Sequence, residues 1–359
     1  TMEGSDMFEL VKELSELPGP TGHEDAVQDW VAERWGTFSR EVRRTRVDNV
    51  LAKVGGSGPR LAIVAHADEL SLLVKSISDE GFLHLWPYSD SLGRPPRWFM
   101  PIGQQALVVT SRGNVSGIFA TATGHVIGGP GSKDLVEWND WFIDLGVRSR
   151  KAVQDLGIRP GARVIWNPEA RRIGENITGK AMDDRAAIAI ATEVGAQLAG
   201  QDDLPFEVWL VSTVQEENGL LGASSLADDL QLDAAIALDV GLVGDIPGVD
   251  KLDFPSKLGG GPMIVYQDAM CHYSRRLSDA LVEVAEENDI PVQLAVFQHF
   301  GSDGAALIKR GIDSALLAYP TRYTHSPFET VDENDLLNSV ALLVAFVRRG
   351  PVSRYSDVQ

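Results

Sequence analysis

The sequence contains a single cysteine, Cys271, among its 359 residues. An intrachain disulfide and a metal site built from several cysteines are therefore excluded. Basic residues are also scarce, since 32 Lys and Arg against 51 Asp and Glu give a formal net charge of −19. A surface this acidic repels nucleic acid and anionic membranes, so we expect neither as a partner.

Long apolar runs are missing as well. No segment approaches the ~20 residues that a membrane-spanning helix needs. The first residues show no basic stretch followed by an apolar one, which is the pattern of a signal peptide. We therefore expect a cytoplasmic protein with no membrane association. Because 44% of the residues are hydrophobic, the chain can form one large domain or two ordinary ones with a substantial core.

Strand and helix patterns alternate near the start of the chain and again after residue 175. Helical spacing over 5–37 precedes strand patterns at 41–54 and 61–65. The later strands and helices are predicted at 206–214, 233–239, 263–266, 292–297 and 314–319, and at 185–198, 223–229, 274–288, 303–309 and 336–348. This alternation predicts an α/β fold, with a mostly parallel central sheet and helices on both of its faces.

The sequence pattern changes between residues 71 and 170. Short alternating segments are separated there by Gly and Pro turns, which predicts a small β-rich domain inserted into the main one. We therefore expect a discontinuous catalytic domain of residues 1–70 and 171–359, and an inserted domain of residues 71–170.

Carboxylate and imidazole side chains follow several of the predicted strands. The candidates are His66 and Asp68 after 61–65, Glu216 and Glu217 after 206–214, Asp239 at the end of 233–238, His325 beyond 314–319, and Asp183 directly before a helix. Each has an ordinary alternative, because Asp183 could cap its helix and a histidine could be buried and hydrogen-bonded. Their joint occurrence favours a site, since the carboxyl ends of parallel strands share one edge, where ligands bind.

Histidines and carboxylates without cysteine suit borderline to hard divalent ions. We expect zinc first, with cobalt or manganese as alternatives. The number of ligands fits two ions bridged by one carboxylate and a water or hydroxide. In His66-Ala-Asp68, the carboxylate can accept the second imidazole N–H and so fix the ring.

These motifs together resemble the co-catalytic di-metal aminopeptidases of the tetrahedral (TET), glutamyl-aminopeptidase-like family. The matching segments are His66-Ala-Asp-Glu, Met182-Asp-Asp-Arg, Gln215-Glu-Glu, Leu238-Asp-Val, Arg322-Tyr-Thr-His-Ser-Pro and Gly301-Ser-Asp-Gly. The resemblance runs nearly end to end and is weakest over 75–170. It implies a phosphorylase/hydrolase-like metallopeptidase core, with an inserted domain that serves dimerisation. Homo-oligomers from dimers to hollow dodecamers are then expected.

The resemblance also implies roles for individual residues. The metal ligands would be His66 and Asp239 on one ion, Glu217 and His325 on the other, and Asp183 bridging both. Glu216 would be the general base, Asp68 would orient His66, and the peptide bond between Asp183 and Asp184 is expected to be cis.

The implied function is metal-dependent hydrolysis of N-terminal residues from peptides with a free N-terminus. A di-metal deacylase or other amidohydrolase, or a carboxypeptidase, on the same scaffold is the alternative. A non-catalytic, metal-stabilised peptide-binding or assembly protein is a second, although Glu216 would then have no use. The family usually has Gly-Gly before its Thr/Ser-Asp, whereas here the order is His299-Phe300-Gly301, which leaves the preferred side chain open.

Overall fold

The computed structural model describes residues 6–87, 102–123, 126 and 140–351. Its helices are α1 (Met7–Glu16), α2 (Asp25–Gly36), α3 (Arg150–Asp155), α4 (Met182–Leu198), α5 (Leu221–Asp229), α6 (Arg275–Glu287), α7 (Asp303–Lys309) and α8 (Glu333–Arg349). No helix within these ranges has the length and apolar character needed to cross a bilayer.

The strands fall into two groups, which are separate in space. The first and last parts of the chain contribute β1 (Glu41–Arg44), β2 (Val50–Gly55), β3 (Arg60–His66), β10 (Arg171–Ile173), β11 (Asn176–Gly179), β12 (Glu207–Thr213), β13 (Ala234–Leu242), β14 (Met263–Gln267), β15 (Gln293–Val296), β16 (Asp313–Arg322) and β17 (Glu329–Asp332). The region between them contributes β4 (Leu72–Ile77), β5 (Leu83–Pro87), β6 (Gln105–Val109), β7 (Val115–Thr121), β8 (Trp141–Asp144) and β9 (Arg163–Trp166).

In the described part of the chain, eleven strands form one sheet. Nine follow the order β1-β2-β12-β3-β13-β16-β17-β11-β10, while β14 pairs with β16 and β15. The central strands β12, β3, β13 and β16 are parallel, as is the β14–β15 pair, and the other pairings are antiparallel. The predicted α/β class is confirmed, and the predicted parallel pairing holds at the centre of a sheet that is mixed overall.

Side chains of the central strands alternate between two hydrophobic layers. In β3, Leu61, Ile63 and Ala65 face a core shared with α1, α2, α4, α6 and α8. Ala62 and Val64 face a second core, shared with α5 and α7. Helices therefore cover both faces of the sheet, as the sequence predicts.

The six strands of the second group close into a barrel with the order β4-β5-β8-β7-β6-β9. Alternate side chains, including Leu83, Phe119 and Trp141, fill its interior. The chain enters this barrel after β3 and returns to the main sheet at β10. The barrel is thus the small inserted β-rich domain of the predicted fold.

A crevice opens where β3 and β13 separate. The two strands pair only as far as Val64 and Ala237. Strand β13 continues beside β16 as far as Leu242. Asp239 therefore lies inside β13, three residues before its end, and not at the end that the sequence predicts. It follows the last residue paired with β3 by two positions, where the two strands have separated.

A buried charge cluster lies beneath this crevice. The Lys180 ammonium lies 2.9 and 2.8 Å from the two carboxylate oxygens of Glu69, and Arg185 donates to the same carboxylate at 3.3 Å. Both cations also donate to the carbonyl oxygen of Leu17, at the end of α1. Burial lowers the pKa of Lys180. The cluster joins the N-terminal segment to the start of α4, which carries Asp183.

The substitution Lys180→Met should destabilise the protein by roughly 3–5 kcal/mol, because it leaves the Glu69 carboxylate buried with one partner fewer. The measurement is the urea midpoint of the chelated protein, followed by tryptophan fluorescence. The matched control is Lys151→Met, which removes an exposed ion pair to Asp155 within α3. Such a pair contributes little, so the midpoint should barely move. Equal shifts for the two variants would contradict the importance of the buried cluster.

Candidate active site

The predicted site residues lie together in the crevice beyond β3. The structure contains groups of ligand atoms that all lie within 4.8 Å of one another. These groups are His66, Asp183, Asp184 and Asp239; His66, Glu216 and Glu217; and Asp183, Glu217 and His325. Asp68 adjoins them through His66, at 3.4 Å between its Oδ1 atom and the ring Nδ1. All of the predicted catalytic residues and metal ligands therefore lie in this one region.

Asp183 occupies the centre of the site. One of its carboxylate oxygens lies 3.0 Å from Nε2 of His66, and the other lies 3.3 Å from Nε2 of His325. Although burial disfavours the charged form, hydrogen bonds from His325 and His66 hold the pKa of this carboxyl well below its ordinary value. A carboxylate between two imidazoles has the arrangement that a bridging ligand needs.

Both carboxylate oxygens of the neighbouring Asp184 accept hydrogen bonds from other parts of the protein. Its Oδ2 atom accepts the backbone N–H of His66 at 3.0 Å, and its Oδ1 atom accepts the Tyr319 hydroxyl at 2.6 Å. The peptide bond between Asp183 and Asp184 is cis, as expected. Asp184 therefore supports the site, while the Asp183 oxygens face the two imidazoles and the Thr324 hydroxyl.

The remaining carboxylates repel one another. Burial raises the pKa of Glu216 well above its usual range, and the charges of Asp239 and Glu217 add to this effect. Burial also raises the pKa of Asp239 well above its ordinary value, with contributions from Asp183 and Asp184. For Glu217, burial and the Asp183 charge raise the pKa to about 7. This many buried acids need more positive charge than the crevice contains.

The two histidines supply part of that charge. Burial opposes protonation of His66, but the Asp184 and Glu216 carboxylates outweigh it and raise the pKa of His66 well above its ordinary value. The same balance, with Glu217 and Asp183 as the acids, raises the pKa of His325 to about 10. Proton binding by these rings thus compensates partly for the carboxylates.

One buried atom of Glu217 indicates that a cation would complete the charge balance of the site. Oε1 of Glu217 is buried and makes no hydrogen bond to the described residues, although it lies 3.5 Å from Nε2 of His325. A buried polar atom without a hydrogen bond is costly in a folded protein. Imidazoles and carboxylates without cysteine are also the ligands that zinc, cobalt and manganese accept. The residues present therefore fit a site for divalent cations.

Asp68 has more contacts than the orienting role requires. The closest partner of the His66 Nδ1 atom is the backbone carbonyl oxygen of Asp68, at 3.1 Å. The Asp68 carboxylate accepts the backbone N–H groups of Glu216 at 2.9 Å and of Glu217 at 3.2 Å. It thus contacts the ring and also holds the turn that carries both glutamates.

Glu329 is a site residue that sequence reasoning missed. Its carboxylate accepts the backbone N–H of Asp183 at 3.0 Å and that of His325 at 2.6 Å. Burial, together with the charge of Asp183, raises the pKa of Glu329 to about 8. The only signal in the sequence is its position four residues after His325. By holding two candidate ligands at once, Glu329 fixes their separation.

The inserted barrel reaches the edge of the site. A small cavity of about 10 Å³ lies beside Glu217, His325 and Glu329. Trp166, at the end of barrel strand β9, forms part of its wall. A cavity of this size holds about one water molecule.

Comparison with known proteins gives a consistent result across nearly the whole chain. The model of the family described as M42 glutamyl aminopeptidase matches residues 48–342. The lysyl aminopeptidase of Pyrococcus furiosus is 28% identical over 348 residues, which cover 95% of this chain and 96% of that protein.

Solved structures extend the comparison to the fold. An aminopeptidase from the archaeon Desulfurococcus kamchatkensis has a TM-score of 0.89 and 32% identity, covering 98% of this chain and 96% of that one. The TET1 peptidase of Pyrococcus horikoshii, described as able to assemble into a tetrahedron or a large octahedral shell, has a TM-score of 0.84 and 28% identity. Its match covers 95% of this chain and 99% of that one.

The contacts of Glu329 give a prediction for metal binding. The substitution Glu329→Ala should weaken zinc affinity about 10–100-fold, because residues that hold ligands in place contribute on that scale. Competition with a chromophoric chelator measures the affinity. The matched control is Asp332→Ala on the same strand, which removes the N-terminal cap of α8. It should cost about 1 kcal/mol of stability and leave zinc affinity unchanged. Wild-type affinity in Glu329→Ala would refute the role of Glu329.

Proposed function

Since the chain belongs to the M42 glutamyl aminopeptidase family, we propose that it is a metal-dependent aminopeptidase acting on peptides with a free N-terminus. The observation that carries this proposal is the Asp183 carboxylate lying between His66 and His325, with Glu216 grouped beside His66 and Glu217. Glu216 is not needed to complete the ligand set, so it is available for proton transfer.

The proposed ligands divide into two sets that share Asp183. His66 and Asp239 would hold one ion with it, and Glu217 and His325 would hold the other. When bound, the ions supply a Lewis acid for the scissile carbonyl oxygen and lower the pKa of the attacking water. Zinc is the ion proposed first, with cobalt or manganese as alternatives.

Glu216 is the proposed general base. It removes a proton from the water whose oxygen attacks the scissile carbonyl carbon, and it gives that proton to the leaving nitrogen as the C–N bond breaks. Its burial raises its pKa, so the carboxylate binds a proton more readily than an exposed glutamate does. Asp68 accepts the backbone N–H groups of Glu216 and Glu217 and so holds the base in the crevice.

We also propose a homo-oligomeric protein, between a dimer and a dodecamer, in the cytoplasm. The similarity to the Pyrococcus horikoshii TET1 peptidase supports the assembly, since that protein is described as able to assemble into a tetrahedron or a large octahedral shell. The inserted barrel, residues 71–170, is the proposed dimerisation domain.

The activity assay tests the reaction and the substrate class together. Chelation should abolish hydrolysis of free-amino peptides, and readdition of zinc, cobalt or manganese should restore it. Matched N-acetylated peptides should resist cleavage. Hydrolysis of the acetylated peptides alone would identify the protein as a di-metal deacylase instead. Tight peptide binding with about two ions per chain and no turnover would support a binding or assembly role instead.

The substitution Glu216→Gln should lower kcat by about 10²–10⁴-fold, because the amide cannot accept the proton. Metal content, measured by atomic emission on the dialysed protein, should remain that of the wild type. The control is Glu286→Gln, an exposed position on α6, which should retain full activity. Full turnover by Glu216→Gln would show that another residue is the base.

A further inference from the structure

Four consecutive backbone N–H groups at the end of β12 donate to side chains from distant parts of the chain. The pairs are Val214 to Asn49 Oδ1 at 3.1 Å, Gln215 to Glu24 Oε1 at 3.1 Å, Glu216 to Asp68 Oδ1 at 2.9 Å and Glu217 to Asp68 Oδ2 at 3.2 Å. We refer to Val214–Glu217 as the base turn, because it carries the proposed general base.

The base turn needs these acceptors because of its backbone conformation. Gln215 has a φ of 54°, so the extended chain of β12 stops there and its strand pairing is lost. Backbone N–H groups that leave a sheet inside a protein must find other partners. The side chains of Asn49, Glu24 and Asp68 supply them from three separate segments.

The Glu24 side chain contacts the base turn and does not cap the helix that it precedes. It occupies the position before α2, where a side chain usually caps the helix, yet it makes no capping hydrogen bond. Its buried Oε1 atom instead accepts the N–H groups of Gly22 at 2.7 Å and Gln215 at 3.1 Å. The Glu24 carboxylate therefore joins its own loop to the base turn and makes no contact with the first turn of α2 as a cap.

Thr21, in the same loop as Glu24, makes an indirect contact with the base turn through Asp68. The Thr21 hydroxyl donates to Oδ2 of Asp68 at 3.0 Å. The loop of residues 20–24 thus contacts the base turn directly through Glu24 and indirectly through Asp68.

We propose that Glu24 is a positioning residue for Glu216. This inference rests on the proposed function, since it concerns the base of that reaction. Removing the Glu24 acceptor frees the Gln215 N–H and lets the adjacent Glu216 carboxylate shift. The proposed ligands His66, Asp239 and His325 lie on other segments. Glu217 is also a proposed ligand and belongs to the base turn itself, so the metal content of each Glu24 variant is measured beside its kinetics.

Kinetics of two substitutions test the proposal. Glu24→Ala should lower kcat roughly 10–100-fold, because displacement by about 1 Å has effects of that size. Its KM should stay within about twofold of the wild type, since Glu24 does not contact substrate. Glu24→Gln should recover most of the activity, because its amide oxygen can accept the same N–H groups.

The control for lost stability is Asp332→Ala, which removes another buried carboxylate from the start of a helix, away from the base turn. Its kcat should match the wild type. If Glu24→Ala keeps the wild-type kcat, or if Glu24→Gln is as impaired as Glu24→Ala, the acceptor role of Glu24 is excluded. A loss of kcat of equal size in Asp332→Ala would make the effect one of general stability.

Hydrogen–deuterium exchange of the metal-free protein provides a test that needs no activity. In Glu24→Ala, the peptide covering residues 214–218 should exchange at least about tenfold faster, because local opening follows the loss of its contacts. The peptide covering Asp239 should exchange as in the wild type. Unchanged exchange over 214–218 would overturn the proposal. If the wild type lacks peptidase activity, the proposed function fails, while the exchange result still decides whether Glu24 holds the base turn.

Discussion

The structure depends on a group of carboxylates that are buried closer together than like charges favour. Asp183, Glu216, Glu217 and Asp239 share one crevice, and only His66 and His325 offset them within the ligand groups. Burial and mutual repulsion raise the pKa values of three of these acids. A fold tolerates such an arrangement where cations complete it, and the cost is then part of the affinity for metal. The negative charge of the crevice therefore favours divalent cations as ligands.

The scaffold keeps the ligand atoms free by assigning the surrounding acids to other partners. Asp184, Glu329, Asp68 and Glu24 all accept backbone N–H groups next to or within the candidate ligands. A carboxylate that accepts N–H groups holds the main chain without competing for the metal. Two kinds of acid thus occupy one region: those whose oxygens face the site, and those whose oxygens fix the backbone behind it.

Much of the fold follows from sequence because the central strands are apolar runs with polar residues where they end. The strands missed are β10, β11 and β17, whose segments are short and mostly polar. Their pairings are antiparallel, as are β1–β2, β2–β12 and β14–β16, so the sheet is mixed. Single-sequence patterns do not specify pairing direction. The sequence predicts Asp239 at a strand end, whereas β13 extends to Leu242 because β16 continues beside it, which is a tertiary effect.

The candidate metal ligands could be predicted because metal binding requires imidazole and carboxylate side chains. These side chains are conspicuous where they follow apolar strand patterns. Glu24 and Glu329 do not stand out, because they act on backbone N–H groups that almost every residue possesses. An acid at the start of a helix, such as Glu24, is already explained by the helix dipole. Its contact with Gln215 joins residues 191 positions apart, which no local pattern encodes. Residues that position a site through the main chain are therefore visible only once the fold has brought the two segments together.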